Sequence, residues 1–161
     1  MNNIEDNQKK YMTEAIELSL EGMSQNQGGP FGAVIVKDSK IVGRGYNQVL
    51  GTNDPTAHAE MVAIRDAAKN LNNFDLSGCE IYTSCEPCPM CLSAIYWANI
   101  DKIYYANTRK DAAFIEFRDD FLYEEIPKSI EDRQKFSQQI LRDEAFKIFE
   151  RWMNKEDKTG Y

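Results

Sequence analysis

An α/β domain with a mixed sheet is the fold class this sequence predicts, and three observations lead to it. Two apolar runs, 31–37 and 40–47, are parted only by Asp38-Ser39, and strands joined so tightly pair antiparallel. Two later strand-like runs, 79–84 and 102–106, each follow a stretch of helical period. Strand–helix–strand order implies parallel pairing through right-handed crossovers. Finally, 161 residues that are 42% hydrophobic and 28% charged suit a single domain, 1–161, with one core.

The elements follow in order. Residues 7–23 place Tyr11, Met12, Ala15, Ile16, Leu18 and Met23 near helical spacing, which predicts an amphipathic helix. Gly22 and the polar run 25–30 end it. After the hairpin, 51–55 reads as a loop, and Asp54-Pro55-Thr56 predicts a helix start capped by Asp54 or Thr56. That helix runs to about Leu71, with Ala57, Met61, Ile64, Ala68 and Leu71 on its buried face. The strand at 79–84 is stopped by Pro87, and Pro89 suits the first position of a helix reaching about Asn99. A strand at 102–106 and a short helix at 111–117 come next, whereas 121–126 has no clear period. Residues 142–155 predict a helix with Ala145, Phe146, Phe149, Trp152 and Met153 on one stripe. That stripe must pack on the chain's own sheet or on a second subunit's.

The chemistry is concentrated in two segments. His58, the only histidine, stands two positions before Glu60. Some thirty residues later comes Pro87-Cys88-Pro89-Met90-Cys91. One imidazole and two thiolates from His58, Cys88 and Cys91 form a good Zn²⁺ ligand set, and three protein ligands leave a fourth position open for water. Glu60, a carboxylate that is not a ligand, then has a task, because that water needs a proton acceptor; a carboxylate that only orients a ligand is the alternative. The spacing matches the zinc nucleobase-deaminase signature His-x-Glu…Pro-Cys-x-x-Cys. A dithiol redox pair would leave His58 and Glu60 unexplained. Cys79 and Cys85 read as buried structural thiols, with Cys85 an alternative ligand that fits one helical face less well than the pair three apart.

Charge narrows the partners. Nineteen Lys and Arg against twenty-six Asp and Glu give a net charge of −7. No broad basic surface for phosphates follows from that balance, so a small, weakly charged substrate is expected and nucleic acid is not. No apolar run approaches the ~20 residues of a membrane span, and the polar, acidic start is unlike a signal peptide. Four cysteines, two of them engaged by metal, predict a reducing compartment and a cytoplasmic protein.

At residues 30–33, 46–47, 52–60, 82–91, 94–98 and 111–113 the sequence resembles the cytidine deaminase-like superfamily, and most closely its small bacterial guanine deaminases. The resemblance implies a three-layer α/β/α fold with a mixed central sheet, one Zn²⁺ per subunit, and hydrolysis of guanine to xanthine and ammonia in purine salvage or catabolism. It implies that Asn47 holds the purine through its side-chain amide, Phe31 stacks on the ring, and Ala59 offers a backbone N–H. Trp97 is read as a core or pocket-wall residue, Asp119 as a second proton carrier beside Glu60, and Tyr161 as closing the pocket. It further implies a homodimer in which the helix and tail 142–161 are exchanged between subunits. The run Phe114-Ile115-Glu116-Phe117-Arg118-Asp119-Asp120 departs from the glycine-containing version of that family, which leaves Asp120 as a rival to Asp119. Competing readings are a tRNA adenosine deaminase, a deaminase of cytosine or triazine amines, and a catalytically silent zinc-stabilised interaction protein.

Overall fold

The computed structural model describes residues 3–160. They form two compact units, Met1–Asp119 and Asp120–Tyr161.

The first unit is built on a four-stranded sheet of order β2-β1-β3-β4. Strands β1 (Gly32–Lys37) and β2 (Lys40–Tyr46) make the expected hairpin. Asp38 and Ser39 both take positive φ, 48° and 61°, as a two-residue type I′ turn demands. Strand β3 (Cys79–Cys85) runs antiparallel on the other side of β1, and β4 (Lys102–Asn107) runs parallel to β3. The sheet is therefore mixed, but β2 and β3 are not neighbours as strand–helix–strand order had implied. The hairpin occupies one edge of β1 and leaves only its other edge for β3. The crossover from β2 keeps its parallel sense and steps over one strand.

Helix α1 (Asn3–Ser24) covers one face, where Tyr11 packs with Val34, Val36 and Tyr82. Opposite Ile35 and Val36, the β2 register jumps from Gly43 to Ile41. This bulge re-aims Ile41 toward the α1 side. Helices α3 (Ala59–Leu71) and α4 (Pro89–Trp97) cover the other face, around Ala33, Ile35, Cys79, Ile81 and Ile95. Residues 51–55 are not a plain loop, because α2 (Val49–Thr52) occupies their start.

The buried face of α3 differs from the expected one. Ala59, Glu60, Ala63 and Ala67 are buried, whereas Met61, Ile64, Ala68 and Leu71 are only partly so. The reason lies on β2. A Cβ on Gly45 would stand 2.3 Å from the Ala59 carbonyl oxygen, and one on Gly43 would stand 2.5 Å from that of Ala63. Helix and strand touch backbone to backbone, so only the alanine face fits. That close seat fixes the height of the α3 N-terminus above the sheet.

Helix α5 (Arg109–Phe114) starts at a capping box between Thr108 and Asp111. It ends in a Schellman motif. The Glu116 N–H donates to the Ala113 carbonyl and the Phe117 N–H to that of Ala112, while Glu116 takes φ +71°. Glycine is the usual occupant of that position, and a β-carbon there costs on the order of 1 kcal/mol. Glu116→Gly is expected to raise Tm by about 2–4 °C, taking roughly 1 kcal/mol in a domain of this size. Calorimetry of zinc-loaded protein checks it; an unchanged or lowered Tm would count against strain at this residue.

The second unit contains α6 (Asp120–Glu125), a 3₁₀ turn at Ile130–Asp132 and α7 (Arg142–Met153). Segment 121–126, without a clear period in the sequence, is thus mostly helical. The Glu125 carboxylate knits this unit, accepting from the Lys128 ammonium and the Gln134 N–H. The Arg142 guanidinium lies 4.6 Å over the Phe146 ring. None of the unit's described residues is buried, and Phe146, Phe149, Trp152 and Met153 of α7 are all exposed.

Candidate metal centre and active site

Two helix starts create the centre. The expected cap at Asp54 or Thr56 does not form, because the Asp54 carboxylate accepts from the backbone N–H and hydroxyl of Thr56 in a local turn instead. Helix α3 therefore begins later, at Ala59, and His58 stands immediately before it with extended backbone (φ −66°, ψ 157°). Cys88 stands the same way before α4 (φ −65°, ψ 167°), with Pro89 at the first helical position as expected. Neither side chain caps its own helix. Both are free to turn toward the space between the two N-termini, and Cys91, on the first turn of α4, joins them.

His58 Nδ1 lies 3.6 Å from Cys88 Sγ and 3.5 Å from Cys91 Sγ. All three ligand atoms fall within 4.8 Å of one another. A tetrahedral ion with ordinary Zn–N and Zn–S bond lengths requires an N···S separation of about 3.6 Å. Both imidazole–sulfur separations therefore match a zinc site. The proton distribution fits as well. The Cys88 thiol is held down to about 4, first by the hydrogen bond from Cys91 and against burial. Cys91 is held up by that same bond to Cys88 and by burial. The Cys88 sulfur raises His58, with burial opposing. A thiolate facing a thiol and an imidazole is a set that a divalent cation binds by displacing the remaining protons.

Glu60 is the second residue of α3 and is 6% exposed. Burial pushes its carboxyl up, partly countered by hydrogen bonds from its own backbone N–H and from Cys91. The carboxyl thus abuts the cluster without belonging to the ligand set. Cys85 is buried nearby, and burial pushes its thiol to about 11. It keeps its proton and directs it to the Thr108 carbonyl, 3.6 Å away. Cys79 lies fully buried in the core. Among the described residues, neither joins the metal cluster.

The substrate-side candidates differ in where they lie. Asn47 is buried just beyond β2; its N–H donates to the Phe31 carbonyl at 3.0 Å, and its Oδ1 accepts from the Val49 N–H at 3.1 Å. These bonds fix the amide beside Phe31. Ala59 opens α3 and is fully buried, so its N–H is one of the first-turn donors that helix geometry leaves without an intrahelical partner. Asp119 is half-buried in the stretch after α5, while Asp120 is exposed at the start of α6. Trp97 is not a core residue of this chain. It ends α4 with 74% of its surface exposed, and eight residues of helical rise put it about 12 Å along the axis from Pro89. Tyr161 lies outside the described residues.

Two features were not singled out in the sequence. Phe117 stands edge-on to Phe31, ring centroids 5.0 Å apart at 85°. A Cβ on Gly28 would fall 2.0 Å from Asn47 Oδ1, and one on Gly29 would fall 2.6 Å from the Phe117 ring and 2.9 Å from that of Phe31. The Gly28-Gly29 pair, legible only as a loop signal, leaves room for the side chains proposed to meet the substrate. Phe117 was hidden in a run read as helix; the positive φ at Glu116 turns it toward Phe31.

The family model of the cytidine and deoxycytidylate deaminase zinc-binding region matches residues 5–107. The chain belongs to that family. In this deaminase the matched span holds His58, Glu60, Cys88 and Cys91, and zinc is the metal of the centre. Asp119 and Tyr161 lie beyond the matched span. The deaminase is 47% identical over 155 residues to a guanine deaminase of Bacillus subtilis, covering 96% of this chain and 99% of that one. The crystal structure of the Bacillus subtilis guanine deaminase superposes with a TM-score of 0.92 at 46% identity, covering 100% of this chain and 99% of the other. A tRNA-specific adenosine deaminase of Buchnera aphidicola is 34% identical over 124 residues, 77% of this chain and 80% of its own. Among the deaminase's described residues, no helix is long and apolar enough to cross a membrane.

Proposed function

We propose that this chain hydrolyses guanine to xanthine and ammonia. The observation that carries the reading is the near-full-length relation to the Bacillus subtilis guanine deaminase, which extends past the zinc region into the second unit. The relation to the tRNA-specific adenosine deaminase covers a smaller share of the chain. A net charge of −7 also disfavours a polyanionic substrate.

His58, Cys88 and Cys91 would hold the zinc, whose contribution when bound is Lewis acidity toward water in an open position. Glu60 takes a proton from the attacking water, passes it to a ring nitrogen, and returns a proton to the departing amine. Its burial suits that task, since burial raises the carboxyl's affinity for a proton and so makes it a better acceptor from water. Asn47 reads the purine edge, Phe31 lies against the ring with Phe117 bracing it, and the Ala59 N–H donates to the substrate. Asp119 supplies a second proton carrier for the leaving amine. Four free thiols suit a reducing cytoplasm.

An ammonia-release screen of guanine, adenine, cytosine, their nucleosides and ammeline against zinc-loaded protein tests the assignment. Guanine is expected to give the highest kcat/KM. Release from an anticodon stem-loop adenosine with none from guanine would overturn it in favour of the tRNA reading, and no release from any substrate would favour a silent zinc protein.

The chain further acts as a homodimer in which 142–161 crosses to the other subunit. The exposed stripe Phe146, Phe149, Trp152 and Met153 supports this, because an amphipathic helix needs a covered apolar face. With Tyr161 closing a pocket, deletion of residues 158–161 should lower kcat/KM far more than Tm. Equal proportional losses would make the tail merely structural.

A further inference from the structure

Glu86 is the acidic residue of the segment Cys85-Glu86-Pro87-Cys88, and no step above uses it. Its carboxylate is not one of the clustered ligands, and Oε2 instead accepts from the Arg109 N–H, the first of α5, at 3.0 Å. Its own N–H donates to the Asn107 carbonyl at 2.8 Å. One residue earlier, the Cys85 thiol donates to the Thr108 carbonyl at 3.6 Å, and Cys85 pairs with Asn107 in the sheet register. The chain leaving β3 is therefore bonded on consecutive residues to 107–109. Pro87, buried and with φ fixed by its ring, follows at once. Few soft torsions remain between this anchor and the Cys88 sulfur.

We propose that Glu86 is a positioning residue that sets the direction from which Cys88 enters the metal centre, and that couples this entry to the seating of α5. The inference rests on the zinc reading of the centre. The bond is local and directional. A carboxylate oxygen is an acceptor at one helix N–H, where negative charge is favoured. The capping box of Thr108 and Asp111 serves other first-turn groups of α5 and does not replace it. Past α5, the same rigid piece carries Phe117 to Phe31. Loosening Glu86 should therefore free Cys88 on one side and the Phe117 brace on the other.

The test is the rate at which zinc-loaded protein yields its metal to excess chromogenic chelator, well below the Tm. Glu86→Ala is expected to release zinc on the order of 10–100-fold faster than the parent, the usual effect of removing an outer partner of a metal site. Glu86→Gln keeps an acceptor at the same reach and should restore the parent's rate. Thr108→Ala removes the capping box but leaves the Glu86 bond, so it should lower Tm while releasing zinc as the parent does. Parent-like release from Glu86→Ala, failure of Gln to rescue, or equal acceleration by Thr108→Ala would each overturn the role. Should Glu86→Ala not fold, Glu86→Gln and Glu86→Asp decide it. Gln at the parent's rate with Asp faster supports the role, and any other order overturns it. Parent protein without stoichiometric zinc would overturn the metal reading itself, a result separable from parent-like release by the variants.

Discussion

Glu60→Gln is expected to keep a full equivalent of zinc and to lose kcat by about 10²–10⁴-fold, the usual worth of a positioned proton carrier. The substitution is nearly isosteric, and Glu60 is 6% exposed. A carboxamide keeps an acceptor oxygen for the backbone N–H but cannot take a proton from water and return it. The ligand set His58, Cys88 and Cys91 is untouched. KM should change little, because the carboxyl acts on protons in flight rather than on the resting purine. Stability should hold or rise, since burial already disfavours the charged carboxylate. Elemental analysis, calorimetry and steady-state kinetics on one preparation separate these effects. A variant with zinc and with kcat within a factor of two of the parent would remove Glu60 from the reaction. Loss of zinc along with kcat would make it a ligand-orienting group instead.

The metal centre was the most legible part of the chain because its geometry is local. Pro-Cys-x-x-Cys places two sulfurs at one helix start, and His-x-Glu does the same for imidazole and carboxyl. The fold needs only to bring two helix N-termini together, which α3 and α4 do on one face of the sheet. What the sequence hid was set by tertiary contact. The helix start at Ala59 follows from a side-chain turn at Asp54 that outcompetes capping. The alanine face of α3 won over its larger residues because Gly43 and Gly45 admit the helix at backbone distance. A sum of hydrophobicities cannot show that, since the decisive atoms are missing ones on another element. The insertion of β1 between β2 and β3 likewise depends on which edge the hairpin leaves open. Trp97 ends α4 and is largely exposed, so the burial expected from its apolar run does not hold within one chain. The departure at 114–120 was visible as text. Its meaning, a glutamate in a glycine position that aims Phe117, required the backbone.

Cys91→Ala is expected to bring zinc content below about a tenth of an equivalent under dialysis and to abolish measurable turnover, because two protein ligands do not retain the ion against buffer. It should also cost stability, on the order of 3–5 kcal/mol, since metal binding energy is folding energy for a site that exists only in the native chain. At this chain length that is roughly a 10 °C loss in Tm. The comparison that gives the result meaning is Cys79→Ala. Both thiols are fully buried, so both variants create a similar small cavity and differ only in whether the sulfur faces the cluster. Cys79→Ala should lose about 1 kcal/mol or somewhat more for the cavity, keep its zinc and keep its activity. Parent protein stripped by a chelator should unfold at nearly the Tm of Cys91→Ala and regain the higher value when zinc is returned, whereas Cys91→Ala should not respond to zinc. If the two alanine variants instead lose equal stability and both retain metal, the sulfur of Cys91 is a packing group and the ion sits elsewhere. The difference between two buried cysteines, rather than the loss at either one, is the measurement that fixes where the metal is held.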